Sequence, residues 1–253
     1  MRLLLDFLCR FGWGLAAGLV LTAPRVVPAG FFRVNLLVVM GVATLAALVA
    51  GGTAGVRTLA AVAAVSGWLG SVAWLGEKRR AGVVFCVVAA LVLAAGTVQV
   101  AMSHHGAGPI PGATPFPGVT SRFVPPLAAL LSGLVTGLTV HAMLLGHWYL
   151  NAPGMRVDAL RRAIDLAAAA WALQVLATLA AGGTWDGLRA GGTTAALVAM
   201  RWLAGLVGLP VLLMLARRTL EIPNTQSATG ILYVACLAAI LGELTGQLLM
   251  AGG

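Results

Sequence analysis

Few side chains in this sequence can do chemistry, and most of them fall inside long apolar stretches. His141 lies six residues before the end of one such stretch, and Asp165 lies five residues into the next. In an antiparallel hairpin those positions reach similar depth, so a His–Asp pair is expected there. Histidine titrates near neutrality, which suits a proton relay or a hydrogen bond to a quinone carbonyl. Arg201 and Glu243 are matched in the same way across two successive stretches, with Gln247 one turn from Glu243 on the same face. An ionisable group inside a membrane span costs roughly 2.5–3.5 kcal/mol, so a buried Arg201–Glu243 pair is the expected way to hold both. A proton-accepting Glu243 lining an outer cavity is the alternative. Asp6 and Arg10, four residues apart, are spaced to meet on one helix face.

A second group of polar residues gathers where two stretches end. His147, Tyr149 and Asn151 follow Gly146, which leaves space for a ring or a head group beside His147. Asn224 and Gln226, with Thr225 and Ser227, open the last stretch, where unpaired helix N–H groups and the positive dipole end would face a carbonyl or an anion. With His141 and Asp165 these residues make a candidate quinone or head-group pocket near one membrane face. No metal site is expected. His104 and His105 are adjacent and have no third ligand nearby, while Cys9, Cys86 and Cys236 show neither CxxC spacing nor an even count. Haem is not expected either. His141 and His147, the two histidines in apolar stretches, are six apart, or about 240° around a helix, and cannot clamp one iron between them.

The elements that must position these groups follow from composition. Of 253 residues, 60% are hydrophobic and only 9% charged, with a mean hydropathy of +0.98. A soluble domain carries about 25% charged residues, so a soluble globule, a disordered chain and a nucleic-acid binder are all excluded. Eight apolar runs, near 3–22, 34–51, 58–75, 82–102, 126–147, 160–182, 194–216 and 229–249, are each long enough to cross a bilayer as a helix. They are too long for barrel strands and lack a period-two pattern. The expected fold is an all-α polytopic bundle: helices 1–4 over residues 1–102, a Pro/Gly-rich outer loop over 103–125, and helices 5–8 over 126–253. Asp6 and Arg10 within the first run, and Pro24 after it, favour a retained helix over a cleaved signal peptide.

Basic residues set the expected orientation. Arg25, Arg33, Lys78, Arg79, Arg80, Arg156, Arg161, Arg162, Arg217 and Arg218 fall on one side, against Arg2, Arg57, Arg122 and Arg189 on the other. The richer side is expected to be cytoplasmic, which puts the protein in the inner membrane with both ends outside. Ala23-Pro24 with Arg33, and Ala152-Pro153 with Arg162, repeat one spacing after the first helix of each half, as parallel four-helix repeats would. Gly14/Gly18, Gly133/Gly137 and Gly242/Gly246 offer close helix approach.

The eight-helix, four-plus-four layout resembles the quinol-interacting membrane anchors of molybdopterin and iron–sulfur oxidoreductases. The resemblance is one of layout, without a shared motif, and no site residue is carried over from it. It implies a membrane subunit of a respiratory or other redox complex, anchored in lipid, held by protein partners and offering a quinone pocket near the inner face. A small-solute or ion transporter is the alternative, although Pro210 is the only mid-span proline and has no counterpart in the first half. An intramembrane enzyme is disfavoured, since no HExxH, GxSxG or paired-aspartate motif occurs.

Overall fold

The computed structural model describes residues 1–104, 124–152, 156–181, 191–222 and 224–251. His105 and nearly all of the expected 103–125 loop lie outside the described residues, as do Arg122, Pro153 and Arg189. Among these residues, eight helices are long and apolar enough to cross a membrane: α1 (Arg2–Leu21), α2 (Ala29–Val49), α3 (Ala54–Leu75), α4 (Arg79–His104), α5 (Val124–Asn151), α6 (Asp158–Ala181), α7 (Gly192–Thr219) and α8 (Thr225–Ala251). The chain is an all-α, multi-pass membrane bundle, and no strand occurs among the described residues.

The helix boundaries have local causes. Pro28 precedes α2 in extended conformation, so the helix starts at Ala29 and Arg33 belongs to α2 rather than to a connection. Pro125 and Pro126 sit in the first turn of α5, where a missing N–H costs no intrahelical bond. The α2–α3 turn is only a few residues long and passes through Gly51 at φ +50°, a left-handed conformation that glycine adopts without strain. Within α7, Arg201–Gly208 winds as a π-helix immediately before Pro210. A proline ring crowds the carbonyl four residues back, here Leu206, and the wider winding accommodates that local conflict.

The packing is organised around α1 and α5. Of their apolar windows 67% and 61% are buried, against 22% for α6 and for α7. In the first half α1 packs on α2 and α4, while α3 bridges α2 and α4 from outside. In the second half α5 packs on α6 and α8, with α7 bridging α6 and α8. The two halves therefore follow one packing scheme and join through α1 against α5.

That joint depends on glycine. A Cβ built on Gly14 would overlap the Gly133 carbonyl oxygen, and one on Gly137 would overlap the Gly14 backbone. The α1–α5 helices run parallel, with Arg10 beside Gly133, Gly14 between Gly133 and Gly137, and Gly18 beside His141. Lipid gives no hydrophobic drive for helices to associate, so such backbone-to-backbone packing is a main source of attraction. Gly205 and Gly242 make a similar close crossing between α7 and α8. The outward surface is apolar, with Leu48, Val65, Leu91, Leu176, Leu203 and Leu237 all exposed, as a lipid-facing surface requires.

Candidate functional site

Two polar regions lie inside the bundle. The first sits at the end where α1 starts and α8 finishes. There Asp6 holds the Arg10 guanidinium through two contacts, 2.8 and 2.6 Å, as the spacing of four predicts. Arg10 also donates to Glu243 Oε1 at 3.0 Å and to Ser132 at 3.2 Å. Gln247 Nε2 donates to the same Glu243 oxygen at 2.8 Å. Asp6, Arg10, Glu243 and Gln247 are all buried, so the cluster satisfies charged groups that lipid could not.

Glu243 therefore takes Arg10, not Arg201, as its ion-pair partner. Depth counting compares only helices adjacent in sequence, and α1, which supplies Arg10, comes from the other half. Arg201 stands at the first residue of the π-helical segment. Its guanidinium reaches Thr178 at 3.5 Å and lies over Gly246. It makes no ion pair among the described residues. Arg201 and Glu243 nevertheless line one small cavity of about 10 Å³ with Gln174, Gly205 and Gly242, a volume that suits a single water.

The second region lies at the opposite end, where α1 runs into α2 and α5 into α6. His141 is 2% exposed. Its Nε2 is 2.7 Å from the hydroxyl of Thr22, which in turn is 2.8 Å from the Gly18 carbonyl. Nδ1 is itself fully buried and has no hydrogen-bond partner among the described residues. Phe31 meets the ring edge-on, with centroids 5.5 Å apart. Gly18 makes the approach possible, because a Cβ there would come within 2.5–2.9 Å of the imidazole. Beside His141 opens a cavity of about 150 Å³ walled by Leu21, Val26, Leu138 and Leu166, with Thr22, Asp158 and Arg162 also lining it. Arg162 is exposed and makes no ion pair among the described residues.

Asp165 is not part of this cavity. It pairs with Arg217 at 2.9 Å, with its side chain 56% exposed. The buried stripe of α6 runs through Leu160, Ala163, Ile164 and Ala167, and Asp165 falls off it. Matching depth fixes height along a helix but not direction around it, so the expected His141–Asp165 pair is replaced by His141–Thr22 and Asp165–Arg217.

The remaining expected pocket residues spread over that end of the bundle. His147 Nδ1 lies 3.1 Å from the Tyr233 hydroxyl, on the α5–α8 side. Tyr149 is buried and donates to the Arg156 carbonyl, tying the end of α5 to the start of α6. Asn151 donates to the His147 carbonyl one turn back at 3.2 Å. Asn224 caps α8 by accepting from the Ser227 N–H at 3.0 Å, and Gln226 is exposed. Of the seven, only His141 lines the cavity.

Gly18, Thr22, Asp158 and Arg162 supply the rest of its polar and close-packed wall. The Gly18–Thr22 spacing of four was a signal for a hydroxyl folded back on its own helix, while Arg162 stood out as a charge that sets orientation and as part of a repeated spacing, not as a cavity residue. Among the described residues no cluster of three His, Cys, Asp or Glu side chains could hold a metal. Cys9, Cys86 and Cys236 are buried and separate thiols. Compared with protein-family models, curated proteins and solved structures, the chain finds no match.

Proposed function

We propose that this chain is a membrane-embedded subunit of a respiratory or other redox complex, and that the α1–α5–α6 cavity is its quinone site. The observation that carries this reading is a mostly apolar cavity walled by the buried imidazole of His141, with Thr22, Asp158 and Arg162 supplying polar groups at its edge. A cavity near 150 Å³ accommodates a single six-membered ring in other proteins. Its apolar walls suit the ring of a quinone, and its polar atoms can orient the oxygens. The basic residues at the α1–α2 and α5–α6 end, Arg25, Arg161 and Arg162 among them, favour placing that end on the cytoplasmic side of an inner membrane. Both ends of the chain then lie on the outer side.

Two measurements test the reading. Gentle solubilisation of native membranes should recover the chain with redox subunits. The purified chain should bind a quinone analogue, and His141→Ala should weaken that binding by about tenfold, as expected for losing the apolar ring surface that walls the cavity. Recovery of the chain alone, together with solute flux in liposomes and no effect of His141→Ala, would replace this reading with a transporter.

A further inference from the structure

The polar side chains deep in the α1–α5–α6 cavity are turned to one another. Thr22 donates to the Gly18 carbonyl at 2.8 Å and stands 2.7 Å from His141 Nε2, while His141 Nδ1 is fully buried beside Gly18. The mouth is different. It lies between α1 and α6, which both pack on α5, and is bordered by the exposed Leu21 and Val26 on one side and by the exposed Asp158 and Arg162 on the other. Arg162 has a carboxylate about one turn away in each direction, Asp158 four residues before it and Asp165 three residues after, the spacings at which helix side chains meet. Neither pairs with it. Asp158 takes Arg156, through contacts of 2.8 and 3.0 Å to one oxygen, and Asp165 takes Arg217 at 2.9 Å. Of the two charged residues that line the cavity, the acid is therefore matched, and the base makes no ion pair among the described residues.

The geometry points to Arg162 as the specificity residue of this cavity, selecting a quinone whose ring carries an ionised oxygen, a hydroxyquinone, over a neutral ring of the same shape. This rests on the quinone-site reading and adds to it the charge of the preferred ligand. The apolar walls take the ring, and the oxygen stays at the mouth, where a charge remains hydrated and meets an unpaired guanidinium. That group presents only donors and keeps its charge at physiological pH, so it favours an oxygen that is anionic and accepts. The hydroxyl of a hydroxyquinone is conjugated to a ring carbonyl, as in a carboxylic acid, and is ionised at neutral pH. The carbonyl of an uncharged quinone also accepts from a guanidinium, but without the attraction between opposite charges. Because Arg162 is exposed, water screens that attraction and keeps the preference modest.

The test uses the whole chain in micelles of an uncharged detergent at neutral pH, with calorimetric titration of hydroxy-trimethyl-benzoquinone and tetramethyl-benzoquinone. The two differ by an ionised oxygen in place of a methyl group. The hydroxyquinone should bind about fivefold more tightly, near the upper limit for an exposed ion pair. Arg162→Gln should bring the two within about twofold of each other by weakening the hydroxyquinone alone. Arg162→Lys, which keeps the charge, should retain most of the preference. Equal binding of the two compounds to the natural chain, or a preference that survives Arg162→Gln, would overturn the proposal while leaving a quinone site in place. Displacement of the hydroxyquinone by an equal concentration of dodecyl phosphate would assign Arg162 to a lipid phosphate and overturn it as well. No binding of either quinone, with circular dichroism showing intact helices, would remove the quinone site and the proposal with it.

Discussion

Arg10 is the residue on which the buried charges depend. It holds Asp6 and Glu243 together, and both carboxylates are buried. Removing one partner of a buried ion pair leaves the other uncompensated, which costs about 3–5 kcal/mol. Arg10→Met is therefore expected to cost at least that much, measured as unfolding free energy in mixed micelles. Replacing Asp6, Arg10 and Glu243 together by Asn, Met and Gln should recover much of the loss, since no charge is then stranded. Arg201→Met should cost less than half as much as Arg10→Met, because its contact with Thr178 is a long 3.5 Å and it makes no ion pair among the described residues. An Arg201→Met loss equal to that of Arg10→Met would show that its link to Glu243 across the small cavity carries as much as a direct pair. The sequence disclosed the Asp6–Arg10 pair because it is local, and it disclosed that Glu243 needed a cation. It did not disclose which one, since that choice depends on how α1 and α8 face each other. His141 was legible as a buried polar group, but Thr22 was not, because its role comes from α1 ending beside the middle of α5.

At the scale of elements, eight spans were readable from hydropathy alone, because every helix must hide its backbone from lipid over about the same length. The pairing of helices was less readable. Glycine is abundant here, and sequence could not tell a glycine that fits a neighbour from one that merely fills a helix. Gly14 and Gly41 separate the two cases. Gly14→Ala would push a methyl group into the Gly133 carbonyl, so it should lower the thermal unfolding midpoint by several degrees or prevent assembly. Gly41 has no atom within 4 Å of a built Cβ, so Gly41→Ala should leave the midpoint unchanged or raise it slightly. Paired melting curves in detergent check both. The π-helical winding of α7 was not legible as such. Pro210 signalled that the helix had a local problem, but several distortions would have solved it.

For the molecule as a whole, the Arg10–Glu243 contact joins the first half of α1 to the last third of α8, so the start of α1 and the end of α8 share one face of the bundle. Reporter fusions at Met1 and after Met250 should give the same answer, active alkaline phosphatase and dark cytoplasmic fluorophores at both positions if the basic end is cytoplasmic. Opposite readings at the two positions would mean that one helix does not cross. The glycine seam between α1 and α5 has a mechanical consequence. Transporters that rock one half against the other need a joint that can open and reseal, whereas here two backbones meet directly at Gly14, Gly133 and Gly137, with no side chain at that crossing to act as a bearing. A joint of that kind favours keeping α1 and α5 together and leaves α7, which leans on α8 and only lightly on α6, as the helix least tied to the centre.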